Sequence, residues 1–115
     1  MTLPTGTPFL QVLLSPEAEQ DLLEIYSYTA TNAGQEHADT ILGKLEQAIL
    51  SLENLHLRGN VPPELETVGI TRFREIHVHP WRIIYEALEA VVHVHWVFDS
   101  RRDVAGQLAQ KVLRG

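Results

Sequence analysis

Three runs rich in β-branched and aromatic residues, Ile70–Val78, Trp81–Leu88 and Val91–Phe98, are separated only by His79-Pro80 and Glu89-Ala90. A parallel crossover needs a dozen residues or more, so gaps this short permit only an antiparallel meander. Pro80 marks the first turn. Glu-Ala is poor chemistry for a two-residue hairpin turn, which favours Asn and Gly. The second turn is therefore expected to be longer than the gap suggests.

Upstream the period changes from two to 3.6. Phe9–Leu14 is a short apolar strand candidate, and Ser15-Pro16 then punctuates the chain. Serine is a good N-cap, proline fits the first helical position, and Glu17, Glu19 and Asp21 suit the positive end of a helix dipole. Ala18, Leu22, Ile25, Tyr26 and Thr29 fall on one face of a helix predicted over 16–32, which ends at Asn32-Ala33-Gly34. Ala38, Ile41, Leu42, Leu45, Ala48, Ile49 and Leu52 keep the helical period through a second helix, over 35–55. The few residues between the two helices make them an antiparallel hairpin. Residues 56–69, with two glycines and the Pro62-Pro63 pair, read as a loop. Asp103 can cap a last helix, Val104–Leu113. The order β-α-α-β-β-β-α predicts a two-layer α+β domain, the hairpin packed on a three- to four-stranded antiparallel sheet. One domain over 9–115, behind a flexible leader at 1–8, suits the 115 residues.

The chain has no cysteine, which excludes a thiolate metal site, a disulfide scaffold and a cysteine nucleophile. It has no apolar run long enough to span a membrane and no recognisable signal sequence, so a cytoplasmic location and no membrane partner are expected. The net charge of −6 is unevenly spread. Residues 1–57 hold eight acids and one base, Lys44, and residues 58–115 hold seven acids and eight bases. Any anionic partner is expected at the C-terminal half.

Strand alternation places Val92, Val94, Trp96 and Phe98 on one face of the last strand. It collects Glu75, His77, Arg82, His93, His95 and Asp99 on a polar face. His77-Val-His79 and His93-Val-His95 could place imidazoles side by side, with Glu75 or Asp99 to complete a set. No established ligand spacing supports a metal, however, and no cofactor motif is present. Metal-free RNA cleavage needs proton-transfer groups, for which Glu75, His77, His95 and Asp99 are candidates. It also needs cations, for which Arg74, Arg82, Arg101 and Arg102 are candidates. The bland alternatives are a solvated turn for Arg101-Arg102 and a cross-strand pair of Arg82 with Glu75 or Glu86.

The segments Arg74-Glu-Ile, Trp81-Arg-Ile-Ile-Tyr85 and Val97-Phe-Asp-Ser-Arg-Arg-Asp103, behind Ala18–Tyr28 and a second helix, resemble the RelE/ParE superfamily of toxins from bacterial type II toxin–antitoxin systems. The resemblance spans about residues 10–113. One branch cleaves messenger RNA on the ribosome, and the ParE-like branch is described as poisoning DNA gyrase. Where the nuclease branch carries basic residues on the first meander strand, this chain has Phe73 and Glu75. Asp99 and Leu108 stand where that branch often has His, Lys or Tyr. The resemblance therefore implies a ParE-like, non-enzymatic toxin, with Arg74, Arg82, Asp99, Arg101 and Arg102 on the surface that meets gyrase. The alternative is a ribosome-dependent endoribonuclease in which Arg82 and Arg102 stabilise charge and His77 or His95 moves the proton. A third reading is a non-toxic module that only binds an antitoxin. Arg82→Ala is expected to leave the fold intact, since Ile83 and Tyr85 carry the core.

The resemblance also implies a cognate antitoxin, hence a hetero-oligomer. The hairpin itself, acidic and with apolar residues off its core stripes, suits a basic amphipathic segment that folds on binding. Glu24, Tyr28, Glu46, Leu50 and Glu53 are the residues expected to meet it.

Overall fold

In a computed structural model of the chain, Ser15 is the point from which the first helix grows. Its Oγ accepts the Ala18 amide hydrogen at 2.9 Å, and Pro16 opens helix α1, Pro16–Ala33. Gly34, at φ 95° and ψ 158°, takes an extended positive-φ conformation open chiefly to glycine, which ends α1 and starts α2, Gln35–Leu50. A 3₁₀ turn at Ser51–Glu53 follows, so the α-helix stops five residues before the predicted end. The structure describes residues 10–113; the leader at 1–8 and Phe9 lie outside the described residues.

The sheet order is β1-β4-β3-β2, with β1 Gln11–Leu14, β2 Arg74–Val78, β3 Trp81–Leu88 and β4 Val91–Asp99. The three later strands form the predicted antiparallel meander, and β1 joins β4 in parallel. The β3–β4 turn is the two-residue Glu89-Ala90 after all. Glu89 adopts φ 54°, the one positive φ among described non-glycine residues, and Leu88 pairs directly with Val91. The fold class and element order agree with the sequence expectation. No helix among the described residues is long and apolar enough to cross a membrane.

Strict alternation fails in β4. Ile84 pairs with Trp96 and Tyr85 with Val94, so His95 is an extra residue without a partner on β3. Such a bulge reverses the facing of everything after it. Val92 and Val94 face the helical hairpin, where they pack with Leu22, Leu45, Leu52 and Tyr85. Trp96 and Phe98, expected beside them, face the opposite side and pack with Phe73, Ile84 and Leu65. Asp99, expected on the polar face, pairs with Trp81 on the hairpin side.

The second core is covered by two short helices. α3, Pro63–Glu66, lies inside the stretch predicted as a loop, and α4, Val104–Leu113, has the predicted bounds. Asp103 Oδ1 caps α4 by accepting the Gly106 amide hydrogen at 3.0 Å. Residues 70–73, predicted as strand, precede β2, which starts at Arg74. Asn60 reaches across instead, its carbonyl accepting the Glu75 amide hydrogen at 2.8 Å.

The segment before α3 is pinned at Gly59. A side chain there would meet the Glu75 carbonyl at 2.5 Å and the Tyr85 hydroxyl at 2.6 Å. Tyr85, wholly buried, donates to the His56 carbonyl at 2.8 Å and accepts from the Gly59 amide at 3.1 Å. Gly59→Ala is therefore expected to cost about 1–3 kcal/mol by overpacking. Gly43→Ala, inside α2 with nothing within 4 Å of the added methyl, should instead stabilise by about 0.5–1 kcal/mol. Urea unfolding of the two variants checks the contrast.

Candidate functional site

Arg82 follows from strand register. It lies opposite His77 on β2 and one step from Glu75, on the face away from the hairpin. Its Nε donates to Glu75 Oε1 at 2.7 Å, and Nη1 and Nη2 donate to the two oxygens of Glu64 at 2.8 and 2.7 Å. The Arg82 and Glu75 side chains are 8% and 2% exposed. Asn60 Nδ2 donates to the other Glu75 oxygen at 2.9 Å, and His77 Nε2 lies 3.3 Å from that oxygen. The bonds from Arg82 hold the Glu64 carboxyl below its usual range, and the same bonds push Arg82 further above its own. The guanidinium expected on a contact surface is thus clamped inside the protein, in the pair with Glu75 that was the blander alternative.

Arg74 and Arg72 also have partners within the protein, although the Arg72 side chain is 55% exposed. Arg74 Nη1 donates to the Gly59 carbonyl at 2.7 Å. The Arg72 guanidinium sits 4.6 Å above the Phe73 ring, with its Nε 3.9 Å from Glu86. Arg101 and Arg102, just past β4, are exposed. Asp99 accepts from Arg101 at Nε, 3.0 Å, at Nη2, 2.8 Å, and at the backbone amide, 2.9 Å. Those bonds lower the Asp99 pKa to about 2. They fix Arg101 at the rim, while the Arg102 side chain makes no hydrogen bond or ion pair among the described residues.

Asp99, Arg101 and Arg102 border a cleft of about 590 Å³ between α1 and the end of the sheet. Its α1 wall carries Asp21, Glu24, Tyr28 and Asn32, its floor Trp81 and Val97, and α4 contributes Gln107. The cleft joins residues that the sequence assigned to separate surfaces: Asp99, Arg101 and Arg102 to a target, Glu24 and Tyr28 to an antitoxin. Glu46, Leu50 and Glu53 do not line it.

The histidines are dispersed. His77 is exposed beside Glu75. His95 Nε2 lies 3.1 Å from Glu86 Oε1, and its ring centroid is 6.3 Å from that of His93. Among the described residues no group of three or more His, Asp or Glu side chains is placed to hold a metal ion. The nuclease candidates are brought together only in part. Glu75 links His77 to Arg82, whereas His95 and Arg102 belong to other neighbourhoods.

Glu64 and Asp21 were not foreseen as site residues. Glu64 sits on the unpredicted α3, although Pro62-Pro63 followed by Glu-Leu-Glu carries a helix-start signal. Asp21 looked like an ordinary dipole-complementing acid. Its Oδ2 accepts the Val97 amide hydrogen at 2.9 Å, where β4 has run past the end of β1. Burial raises its pKa to about 6, the Val97 bond and Lys111 opposing.

The family model for the ParE toxin of the type II toxin–antitoxin system, parDE, matches residues 12–104. The chain belongs to the ParE toxin family. No curated protein sequence matches it. A similar solved structure is that of a chromosomal ParDE toxin–antitoxin system from P. aeruginosa, at 14% identity and a TM-score of 0.67, covering 79% of this chain and 96% of the other. Another is the RelBE2 toxin–antitoxin complex from Mycobacterium tuberculosis, at 14% identity and a TM-score of 0.59, covering 80% and 92%. At that identity the likeness is one of fold. The superfamily and its ParE-like branch, expected from the Trp81–Tyr85 and Val97–Asp103 segments, thus stand.

Two outcomes follow for this ParE-family chain. Arg82→Ala leaves Glu75 charged and buried without its partner, so it is expected to cost about 3–5 kcal/mol rather than leave the fold intact. Adding Glu75→Gln should recover part of that loss, because the stranded charge is removed. Urea unfolding of the single and double variants measures both. Asp21 binds its proton up to about pH 6 when folded but only to 3.8 otherwise. The folded state therefore holds more protons between those values, and this contribution to stability is full below 3.8 and lost as pH rises through 6. Asp21→Asn keeps an acceptor for Val97 and removes the titration. Its stability relative to the parent should rise from pH 4 to pH 7, read by unfolding at each pH.

Proposed function

We propose that this ParE-family protein is a toxin that arrests growth by binding DNA gyrase without enzymatic chemistry, and that a cognate antitoxin neutralises it. The observation that carries this reading is the state of the arginines. Stabilising a phosphorane needs free, preorganised cations aimed at the reacting phosphate. Arg82 is clamped between Glu64 and Glu75, Arg74 is bonded to the Gly59 carbonyl, and Arg72 lies over Phe73. The sheet therefore offers little to a scissile phosphate. Arg101 and Arg102 stand exposed at the cleft rim instead, where Asp99 fixes Arg101. This trio is the contact group we assign to gyrase, with Arg82 and Arg74 supporting the surface from behind. Both this target and the alternative below are cytoplasmic, which is where we place the protein.

Membership in the ParE family supports the toxin half of the proposal. Two structural neighbours are a ParDE system and a RelBE2 toxin–antitoxin complex, and they support an antitoxin partner. The hairpin acids Glu24, Glu46 and Glu53, with Tyr28 and Leu50, are the surface we assign to it.

One observation favours a second reading. Exposed His77 is backed by the buried Glu75 carboxylate at 3.3 Å and shares a shallow pocket of about 330 Å³ with Arg58. A histidine oriented by a fixed carboxylate is an arrangement used for proton transfer. On this reading the protein cleaves messenger RNA on the ribosome, with His77 moving the proton.

Parallel assays of the purified protein distinguish the two. Gyrase supercoiling should be inhibited and translation left running. Arg101→Ala combined with Arg102→Ala should weaken that inhibition at least about tenfold, one to two lost charge contacts, with thermal unfolding unchanged. Arrested translation with cut transcripts, abolished by His77→Ala, would instead establish the nuclease. Inactivity in both assays would leave an antitoxin-binding module.

A further inference from the structure

We propose that the free edge of β1 is where a second copy of this chain docks, β1 pairing with its counterpart in antiparallel fashion about a two-fold axis at Leu13. The proposal depends on neither the target nor the antitoxin assigned above, because it uses neither the cleft nor the arginines.

The backbone supplies the first argument. β1 is an edge of the sheet, with β4 as its one neighbour. The Gln11 and Ser15 amides donate to the Ala90 and Val94 carbonyls at 3.2 and 2.9 Å. Alternation therefore turns the backbone groups of Val12 and Leu14 outward, away from β4. Leu10 shares their direction, and its amide is taken by the Glu53 carbonyl at 2.7 Å. The Val12 and Leu14 amides have no such partner among the described residues. An open edge of this kind is a template for another strand, and proteins usually blunt it with charge, proline or a covering segment. β2, the opposite edge, is blunted in two ways: Asn60 bonds the Glu75 amide, and Arg74, Glu75 and His77 bring charged or titratable groups. Gln11–Leu14 has no charge and no proline.

Symmetry and charge select the occupant. The two unpaired residues lie one on each side of Leu13. An antiparallel second copy therefore places its Leu14 opposite Val12 and its Val12 opposite Leu14, and each pair exchanges two N–H···O bonds. A two-fold contact asks for such a self-complementary pattern. Leu13 then lies opposite its own counterpart, in the pair type that brings side chains closest. Val12 and Leu14 pack toward the hairpin core, so Leu13, 42% exposed, points to the reverse face of the sheet and gains an apolar neighbour there. The chain carries a net charge of −6, yet residues 10–15 carry none. Two acidic copies can approach along this edge without setting like charges directly opposite each other.

The contact is short. The Glu53 carbonyl occupies Leu10 at one end, and α1 begins at Pro16 at the other. A surface of this size falls below the ~1,000 Å² of a stable interface, so the dimer is a weak one. Its sheet has eight strands, with both hairpins on the same side.

The test uses the full chain. Sedimentation equilibrium over about 10 µM to 1 mM covers the range in which so small an interface associates. The dimer fraction should rise with concentration and with added salt, which screens the repulsion between acidic copies. Leu13→Lys, which sets two like charges across the axis, should weaken association at least about tenfold. Because the natural chain has no cysteine, the register can be read separately with Leu13→Cys and Gln11→Cys, both at exposed positions, after thermal unfolding has verified that each variant is folded. Across the axis the two residues at position 13 have Cα atoms about 4.5 Å apart, within disulfide reach. Those at position 11 are offset by four residues, about 13 Å, and are out of reach. Diamide oxidation should therefore cross-link the first variant and leave the second monomeric on a non-reducing gel. A chain that stays monomeric to the highest concentration overturns the proposal. So do cross-links of equal yield at the two positions, which mark random collision, and a dimer in which position 13 does not cross-link, which pairs by another surface.

Discussion

A single unpaired residue in β4 organises the rest of the molecule. Because His95 has no partner on β3, the strand presents Val92 and Val94 to one side and Trp96 and Phe98 to the other. One strand thereby serves two cores. The cost is a stretch of β4 whose ladder is disrupted, and α1 repairs it. Ser15 Oγ donates to the His95 carbonyl at 2.7 Å while also capping its own helix, and Asp21 accepts the Val97 amide hydrogen. Buried backbone groups left without partners would each cost on the order of 1–3 kcal/mol. The hairpin is thus tied to the sheet by specific bonds as well as by apolar contact.

The second core gives Arg82 its setting. α3 places Leu65 against the reverse face of the sheet and brings Glu64 over the guanidinium. A buried charge trio of this kind contributes little net stability compared with apolar side chains of the same volume. What it fixes is geometry. Glu64, Glu75 and Asn60 converge on one strand position, so the segment from Gly59 to α3 has one place to lie.

Much of this was legible in the sequence, for physical reasons that differ by element. Ser15-Pro16 and Asp103 announced helix starts because capping is a local interaction between residues three apart. The two-residue gaps forced the meander because chain length alone forbids other connections. The bulge left no such trace: Val-His-Val-His-Trp-Val-Phe alternates well enough to suggest one uninterrupted strand, and only the partner register on β3 exposes the extra residue. That single slip moved Asp99 to the hairpin side and so brought it into the cleft with Glu24 and Tyr28. Arg82 was recognised as a notable residue, but Glu64 lay eighteen positions away in an apparent loop. The state of a charge depends on such distant partners, and sequence spacing does not supply them.

The parallel pairing of β1 with β4 joins the first described strand to the last. β4 is the one neighbour β1 has in the sheet order, and it lies some eighty residues further along the chain. During synthesis α1 and α2 emerge early and can pair with each other, but β1 has no sheet to join until β4 has left the ribosome. The long loop this closes carries an entropic cost that is recovered only once the meander exists. Ser15 and Asp21 wait on the same event, since the backbone groups they bond lie in β4. The wall on α1 and the floor of the cleft are thus brought together only once β4 has emerged, and a nascent chain stopped short of β4 has no complete cleft.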